Sequence, residues 1–434
     1  MIEEDIEQFN MNKTSVIVSC PIDTYSGYGA RSRDLVKALI ELDEYDVQIL
    51  SQRWGNTRVG YLKAHNEYEL SSRIIPQIST KPDIWIQITV PNEFQPVGKF
   101  NIGVTAGIET TLCALPWIEG MNRMNLILTS SEHSKKTLSQ TRWTKEDKKS
   151  GQKFDFKLDK PIEVLLEGAD LTKYFPNSNT NFNLESIKES FCFLFVGHWL
   201  QGEFKEDRKN IGYLIKTFLE TFKNKPNPPA LILKTQHSGS SLLDRTALLK
   251  KIEGVRNSVK GSLPNIYLIH GEVSDEEIND LYNHPKVKAM VCLTKGEGFG
   301  RPLLEFSLVK KPIIASGWSG HLDFLDKNMT LLVGGDLNKV HPSAVQKDVL
   351  LPEAQWFQPN DSDVGKAYKE IFKHYKKYTV LAKKLGFKNS KEFSFESMKN
   401  RLKEILDSNV PEFPKQVQLN IPGAPSKMQL PKLQ

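Results

Sequence analysis

From residue 14 onward the chain alternates short, continuous apolar runs with longer stretches in which apolar residues recur every third or fourth position. This is the pattern of strands buried on both faces and of helices that cover them, and it predicts parallel sheets flanked by helices. TSVIVSC (14–20) reads as a first buried strand, followed by the loop PIDTYSGYG and a helix, ARSRDLVKALIEL (30–42). DVQIL (46–50), DIWIQITV (83–90), FNIGVT (100–105), NLILTS (125–130) and IEVLLEG (162–168) read as further strands. SSEHSKKTLSQ, after the fifth, begins a helix with serine as its N-cap.

The polar stretch PNSNTNFNLES (176–186) breaks the pattern and reads as a linker. The pattern then restarts. FCFLFVG (191–197), ALILKT (230–235), IYLIHG (266–271), KAMVCLT (288–294) and PIIAS (312–316) are expected strands, and IGYLIKTFLETF (211–222) an expected helix. The fold class is therefore α/β, with two Rossmann-like, doubly wound domains facing a central cleft. Open sheets of this kind bind ligands at the C-terminal ends of their strands. The boundaries fall at 1–185 and 186–392, with a short segment 393–408 and a proline-spaced tail, 409–434, expected to lie extended. The lysine-rich stretches 144–160 and 366–384 read as solvated faces, the second as one exposed helix.

Composition narrows the class. At 434 residues, 39% hydrophobic and 25% charged, the chain suits a globular protein of two domains. No apolar run approaches the roughly 20 residues that span a bilayer. The first residues, MIEEDIEQFNMNK, are acidic and lack the apolar core of a secretory signal, so a cytoplasmic location is expected. No two of the four cysteines stand at metal-ligand or redox spacing; they read as buried, reduced thiols. A net charge of +6 permits phosphorylated substrates or nucleic acid without demanding either.

The chemistry concentrates in KGEGFGRPLLEFSLVKKPIIASGWSGHLDFL (295–325), where a strand runs into a glycine-rich loop and Pro302 marks a helix start. Gly296, Gly298 and Gly300 allow close approach to the main chain, and amides at the helix start favour an anion. Glu297 leaves the loop and Glu305 lies in the helix. A carboxylate beside an anion site suits hydroxyl groups of a polyol better than the phosphate. The turn SGWSGH (316–321) is expected to line the same cleft. Trp54, Trp117, Trp199 and Trp318 read as packing residues.

EGFGRPLLE, followed by KKPIIAS and SG, resembles the E-x7-E signature of family 4 glycosyltransferases, which adopt the GT-B fold. LEGADLTKYFP (166–176), FLFVG…DRKNIGYLIKTF (193–218), IYLIHGEVSDEEINDLYN (266–283) and FSFESMKNRLKEIL (393–406) extend the resemblance over most of 160–406. It implies an acceptor-side first domain, a second domain that binds a nucleotide sugar, and a final helix returning to the first. The implied activity is retaining, metal-independent transfer of a sugar from a UDP- or GDP-linked donor. That donor is a co-substrate, no further cofactor is implied, and no obligate protein partner is evident.

By the same resemblance Glu297 holds donor-sugar hydroxyls, and Glu305 the ribose of the nucleotide. The amides of Phe299 and Gly300, after Gly298, face the sugar or its phosphate. Lys209 neutralises the diphosphate, with Arg208 beside it. Gly27 and Gly29 match the first-domain phosphate loop. Where the family carries an arginine after the glycine of its second-domain opening strand, this chain has His198, leaving Arg208 or Arg301 to compensate. Arg31, Arg33, His133 and Glu109 are weaker candidates for acceptor or sugar contacts.

The acceptor stays open at this stage. The helix-forming stretch SLLDRTALLKKIEGVRN and the proline-rich tail resemble those of myovirus-encoded transferases, which points to hydroxymethylated pyrimidine in phage DNA, in a host cytoplasm. A glycan, a lipid-linked molecule or a protein is the alternative, and a non-catalytic nucleotide-sugar-binding module a further one.

Overall fold

In the computed structural model, residues 13–147, 149–199, 204, 206–237 and 241–414 are described. The part of the expected tail from 415 to 434 lies outside them.

The first sheet holds β1 (Thr14–Cys20), β2 (Tyr45–Ser51), β3 (Ile84–Ile88), β4 (Phe100–Thr105), β5 (Leu126–Thr129) and β8 (Ile162–Val164), after the hairpin β6 (Trp143–Glu146) and β7 (Lys153–Phe156). Its order is β2-β1-β3-β4-β5-β8, every pair parallel. Helices α1 (Gly27–Leu42), α2 (Tyr61–Ala64), α3 (Tyr68–Ser72), α4 (Leu115–Met121) and α5 (Glu132–Gln140) connect the strands. The second sheet holds β9 (Cys192–Val196), β10 (Ala230–Lys234), β11 (Ile266–Ile269), β12 (Val287–Cys292), β13 (Ile313–Ser316) and β14 (Leu331–Val333). Its order, β11-β10-β9-β12-β13-β14, is again all parallel. Its helices are α6 (Ile211–Phe222), α7 (Leu242–Asn257), α8 (Asp275–Asn283) and α9 (Arg301–Leu308), followed by α10 (Asp361–Lys373), α11 (Tyr375–Glu392) and α12 (Phe395–Asn409).

Both sheets are buried on both faces, which is why their strands read as unbroken apolar runs. In β1, residues 16 to 20 are all buried. Ile17 and Trp85 face one core, with Trp117 and Ile127, while Val16, Val18 and Ile86 face another with Leu35 and Leu39 of α1. Helix α12 belongs to that second core: Met398, Leu402, Ile405 and Leu406, at helical spacing, pack with Val16 and Leu35. The chain crosses back at Ala169, whose amide donates to the Phe393 carbonyl at 2.8 Å while Phe395 donates to its carbonyl at 2.9 Å. The four cysteines are buried and free.

Several elements differ from the sequence reading, among them the hairpin of β6 and β7 in the stretch read as a solvated face. Helix α1 begins at Gly27, because Ser26 Oγ accepts from the Gly29 amide at 2.9 Å and caps it there. The stretch 366–384 is split between α10 and α11 at His374, whose φ of −118° and ψ of 33° are not helical. Nor is α11 a bare solvated helix. Its Gly386 lies where a Cβ would come within 2.6 Å of the Ser307 carbonyl, and Asn389 Nδ2 donates to Ser307 Oγ at 2.8 Å. Thus α11 buttresses α9. The hairpin β15 (Gly335–Lys339) and β16 (Gln355–Pro359) was not anticipated. It docks on the first domain, where the Thr111 amide donates to the Gln355 carbonyl at 3.0 Å and Gln355 N donates to Thr111 Oγ1 at 2.9 Å.

Candidate functional site in the interdomain cleft

The strand ends of both sheets converge on the loop from 295 to 300. Gly300 takes a φ of +97°, a conformation open to glycine, and turns the chain into α9, with Pro302 in its first turn. The amides of Phe299 and Gly300 donate no hydrogen bond among the described residues. The loop is fixed from behind by the 316–321 turn: the Glu297 amide donates to Ser319 Oγ at 2.9 Å, and Gly320 N donates to the Glu297 carbonyl at 3.0 Å. Ser319 holds φ 83° and ψ −163°, a region that side chains other than hydrogen seldom occupy and that costs on the order of 1–3 kcal/mol. Such strain gathers where a backbone must be presented in one particular way.

Two groups of candidates emerge, and they meet at this loop. In the first, the buried Glu297 receives Lys209 Nζ on Oε1 at 2.6 Å and Arg208 Nη1 on Oε2 at 3.2 Å. Arg208 also donates to the Gly296 carbonyl at 2.7 Å and lies 3.6 Å from Glu109 Oε1 of the first domain. Burial pushes the Glu297 carboxyl up, but the two cations more than offset it and hold its pKa down at about 2. Burial opposes the Arg208 charge too, and the carboxylates of Glu109 and Glu297 override that and raise its pKa. Lys209 and Arg208 stand immediately before α6, placed by Asn210 in the left-handed region at φ 57°.

The second group lines a cavity of about 690 Å³ between the domains, with Gly27, Arg33, His198, Arg301 and Glu305 on its wall. Glu305 is buried, and its Oε1 accepts from Arg301 Nε at 3.0 Å. Burial raises its pKa to about 7, against the pull of Arg301. Arg301 also pairs with Asp34, and at 3.5 Å with Glu167, both of the first domain. Its charge is thus balanced by three carboxylates, so Arg301 is poorly placed to replace a clamp arginine. His198 Nδ1 lies 2.9 Å from the His237 carbonyl, to which it donates, and burial lowers its pKa. Neutral His198 supplies no positive charge near pH 7. Lys234, at the end of β10, also lines the cavity and donates to the Gly271 carbonyl at 2.6 Å. Lys173 and Asp275, an ion pair at 2.7 Å, lie on the wall as well. Lys173 and Asp275 lie in stretches that carry the family resemblance but were not singled out, and Lys234 only ends a strand.

The other first-domain candidates, and the guanidinium of Arg33 on the cavity wall, are held by further contacts. Arg31 is buried in the first domain, where its guanidinium donates to the Leu165 and Leu166 carbonyls and does not line the cavity. A buried guanidinium is retained here because it satisfies the carbonyls where β8 stops short. Arg33 donates to the Ile22 and Thr24 carbonyls, both at 2.9 Å, and its guanidinium lies 3.4 Å above the Tyr61 ring. Gly29 abuts the Thr24 carbonyl, 2.3 Å from where a Cβ would sit. His133 lies edge-on to Trp318, centroids 4.6 Å apart; burial, with His321 nearby, lowers its pKa to about 4.

The loop glycines have a role that sequence did not reveal. A Cβ on Gly296 would stand 2.1 Å from the Glu109 carbonyl oxygen, and one on Gly298 would stand 2.2 Å from that of Ala106. Both partners belong to the segment after β4 of the first domain. The glycines therefore let the two domains touch at the loop itself.

No family model and no curated protein matches this chain. Solved structures do. Sucrose-phosphate synthase from Thermosynechococcus elongatus superposes with a TM-score of 0.59 at 12% identity, over 91% of this chain and 99% of that one. Anabaena HepE, solved in complex with UDP and glucose, gives 0.60 at 13% identity, over 91% and 100%. A glycosyltransferase from Rickettsia africae gives 0.59 at 15%, over 92% and 98%. At such identities the likeness carries the fold, and two Rossmann-like domains of the GT-B kind are the fold of this chain.

Proposed function

We propose that this protein is a retaining glycosyltransferase that draws a sugar from a UDP- or GDP-linked donor without a metal ion. The observation that carries the reading is the cluster at the glycine-rich loop. One buried carboxylate, Glu297, is held between Lys209 and Arg208, beside two amides at a helix start that donate to nothing among the described residues. The cations and the amides stabilise charge as it develops on a leaving diphosphate. Glu297, ionised throughout the working pH range, accepts hydrogen bonds from sugar hydroxyls. Glu305 on the cavity wall takes the ribose, one turn of helix further on. A fold-mate, Anabaena HepE, has been solved in complex with UDP-glucose, which is in keeping with a nucleotide-sugar donor.

In this reading the acceptor oxygen forms a bond to the anomeric carbon as the bond to the diphosphate breaks, on the same face. The acceptor proton passes to the departing phosphate oxygen, so no separate protein base is needed. Proton NMR of the product formed from an α-linked donor tests this. An α-linked product at an unchanged rate in EDTA is expected; a β-linked product, or loss of turnover in EDTA, contradicts it.

A further inference from the structure

The first sheet has a topological switch point of its own, between β1 and β3, where connections leave in opposite directions. A crevice of about 350 Å³ opens there at the C-terminal ends of β1, β2 and β3. Its walls carry Gln52, Arg53, Trp54, Trp85, Glu93 and Gln95. The rim is braced by Gln87, whose Nε2 donates to the Glu93 carbonyl at 3.1 Å and whose Oε1 accepts from the Gln95 amide at 2.8 Å. The side chains of Gln52, Arg53 and Gln95 are exposed and make no hydrogen bond among the described residues. Trp85 is 3% exposed and its indole N–H is buried without a partner. Trp85 is part of the core beneath the crevice and forms its floor.

The lining is nearly neutral, one arginine against one glutamate. A duplex nucleic acid needs several cations, since specific binders neutralise roughly 6–10 phosphates. Planar amides, a carboxylate and indole rings instead suit a polyhydroxylated ring, whose hydroxyls meet the polar groups while its C–H face packs on tryptophan. The crevice also communicates with the donor loop. Trp54 stacks on Tyr28 at 4.0 Å, the Tyr28 hydroxyl lies 3.1 Å from Thr105 Oγ1, and the Ala106 amide donates to it at 3.2 Å. The Ala106 carbonyl in turn abuts Gly298.

We propose that this crevice is the acceptor subsite and that the acceptor is a neutral saccharide, with Trp54 as platform and Gln52, Gln95 and Glu93 as hydroxyl partners. This rests on the glycosyltransferase reading and assigns its acceptor class. Trp54 then has a binding role beyond the packing its sequence context suggested.

Saturation-transfer NMR tests it, with methyl α-glucoside, maltose, cellobiose and a hydroxymethylcytosine-containing duplex as probes, alongside titration of UDP and GDP. A saccharide signal is expected. It should weaken about tenfold in Trp54→Ala, equivalent to ~1.4 kcal/mol, and measurably in the surface variant Gln52→Ala, with nucleotide affinity unchanged in both. Binding of the duplex with a steep salt dependence, silence of every saccharide, or saccharide binding indifferent to both variants overturns the proposal. If neither UDP nor GDP binds, the donor reading fails on its own account.

Discussion

Glu305 and Glu297 are both buried carboxylates on one loop and helix, yet their surroundings drive them apart. Glu297 lies between two cations and stays ionised down to a pKa of about 2. Glu305 has one arginine that it shares with Asp34 and Glu167, and burial lifts its pKa to about 7. The sign of the pH effect follows. A carboxylate that binds ribose as its anion is active above its pKa, so donor affinity should rise between pH 6 and pH 8. Roughly tenfold is expected, since about one site in ten is ionised one unit below the pKa. A KM for the donor measured across that range checks it, and Glu305→Gln should flatten the profile. Glu305→Ala should raise KM more than it lowers kcat; an unchanged KM would remove it from the nucleotide site. Lys209→Met should lower kcat by about 10²–10³ through lost charge stabilisation, with little change in nucleotide affinity where Arg208 persists.

At the scale of elements, most strands and the longer helices were legible because the strands are buried runs and helices such as α1 and α12 bury one apolar stripe. TSVIVSC could be placed from its run of buried residues alone. What escaped was set by contacts distant in sequence. Nothing in KAYKEIFKHYKKYTVLAKK signals the break at His374, nor that Gly386 and Asn389 would face Ser307 of α9. The hairpin of β15 and β16 escaped because it is held partly by Thr111 and Leu112 of the first domain. Among site residues, the E-x7-E stretch and Lys209 were singled out through the family resemblance, whereas Lys234, Lys173 and Asp275 were not. Arg31, at a helix start in the sequence, proved to be a brace for carbonyls beyond β8. Gly298 makes the element-scale case testable. Gly298→Ala should press a methyl group onto the Ala106 carbonyl and cost about 1–3 kcal/mol by overpacking. Thermal denaturation should show the loss; unaltered stability would mean that the domains do not meet there in solution.

At the scale of the molecule, the two sheets are held together by charge across the cleft as well as by α12. Arg301 reaches Asp34 and Glu167, Arg208 reaches Glu109, and Arg58 pairs with Glu272 on the cavity wall. Among these, Arg301 matters most, since it joins Glu305 to both first-domain acids. Arg301→Ala would strip Glu305 of its arginine and leave Asp34 and Glu167 only the buried charges of Arg31 and Arg33. Breaking a buried pair of this kind typically costs about 3–5 kcal/mol. Small-angle scattering should show a larger radius of gyration, together with a weaker donor KM. An unchanged radius and KM would show that closure rests on α12 and the hairpin instead.

The measurement that bears most directly on the whole account is release of nucleotide diphosphate from a panel of UDP- and GDP-linked sugars, with and without the saccharides named above. The account predicts release from at least one donor, accelerated by a saccharide and reduced about 10²–10³ in Lys209→Met. Binding of every donor with no release from any, under all acceptors, would contradict it and leave a nucleotide-sugar-binding protein without turnover.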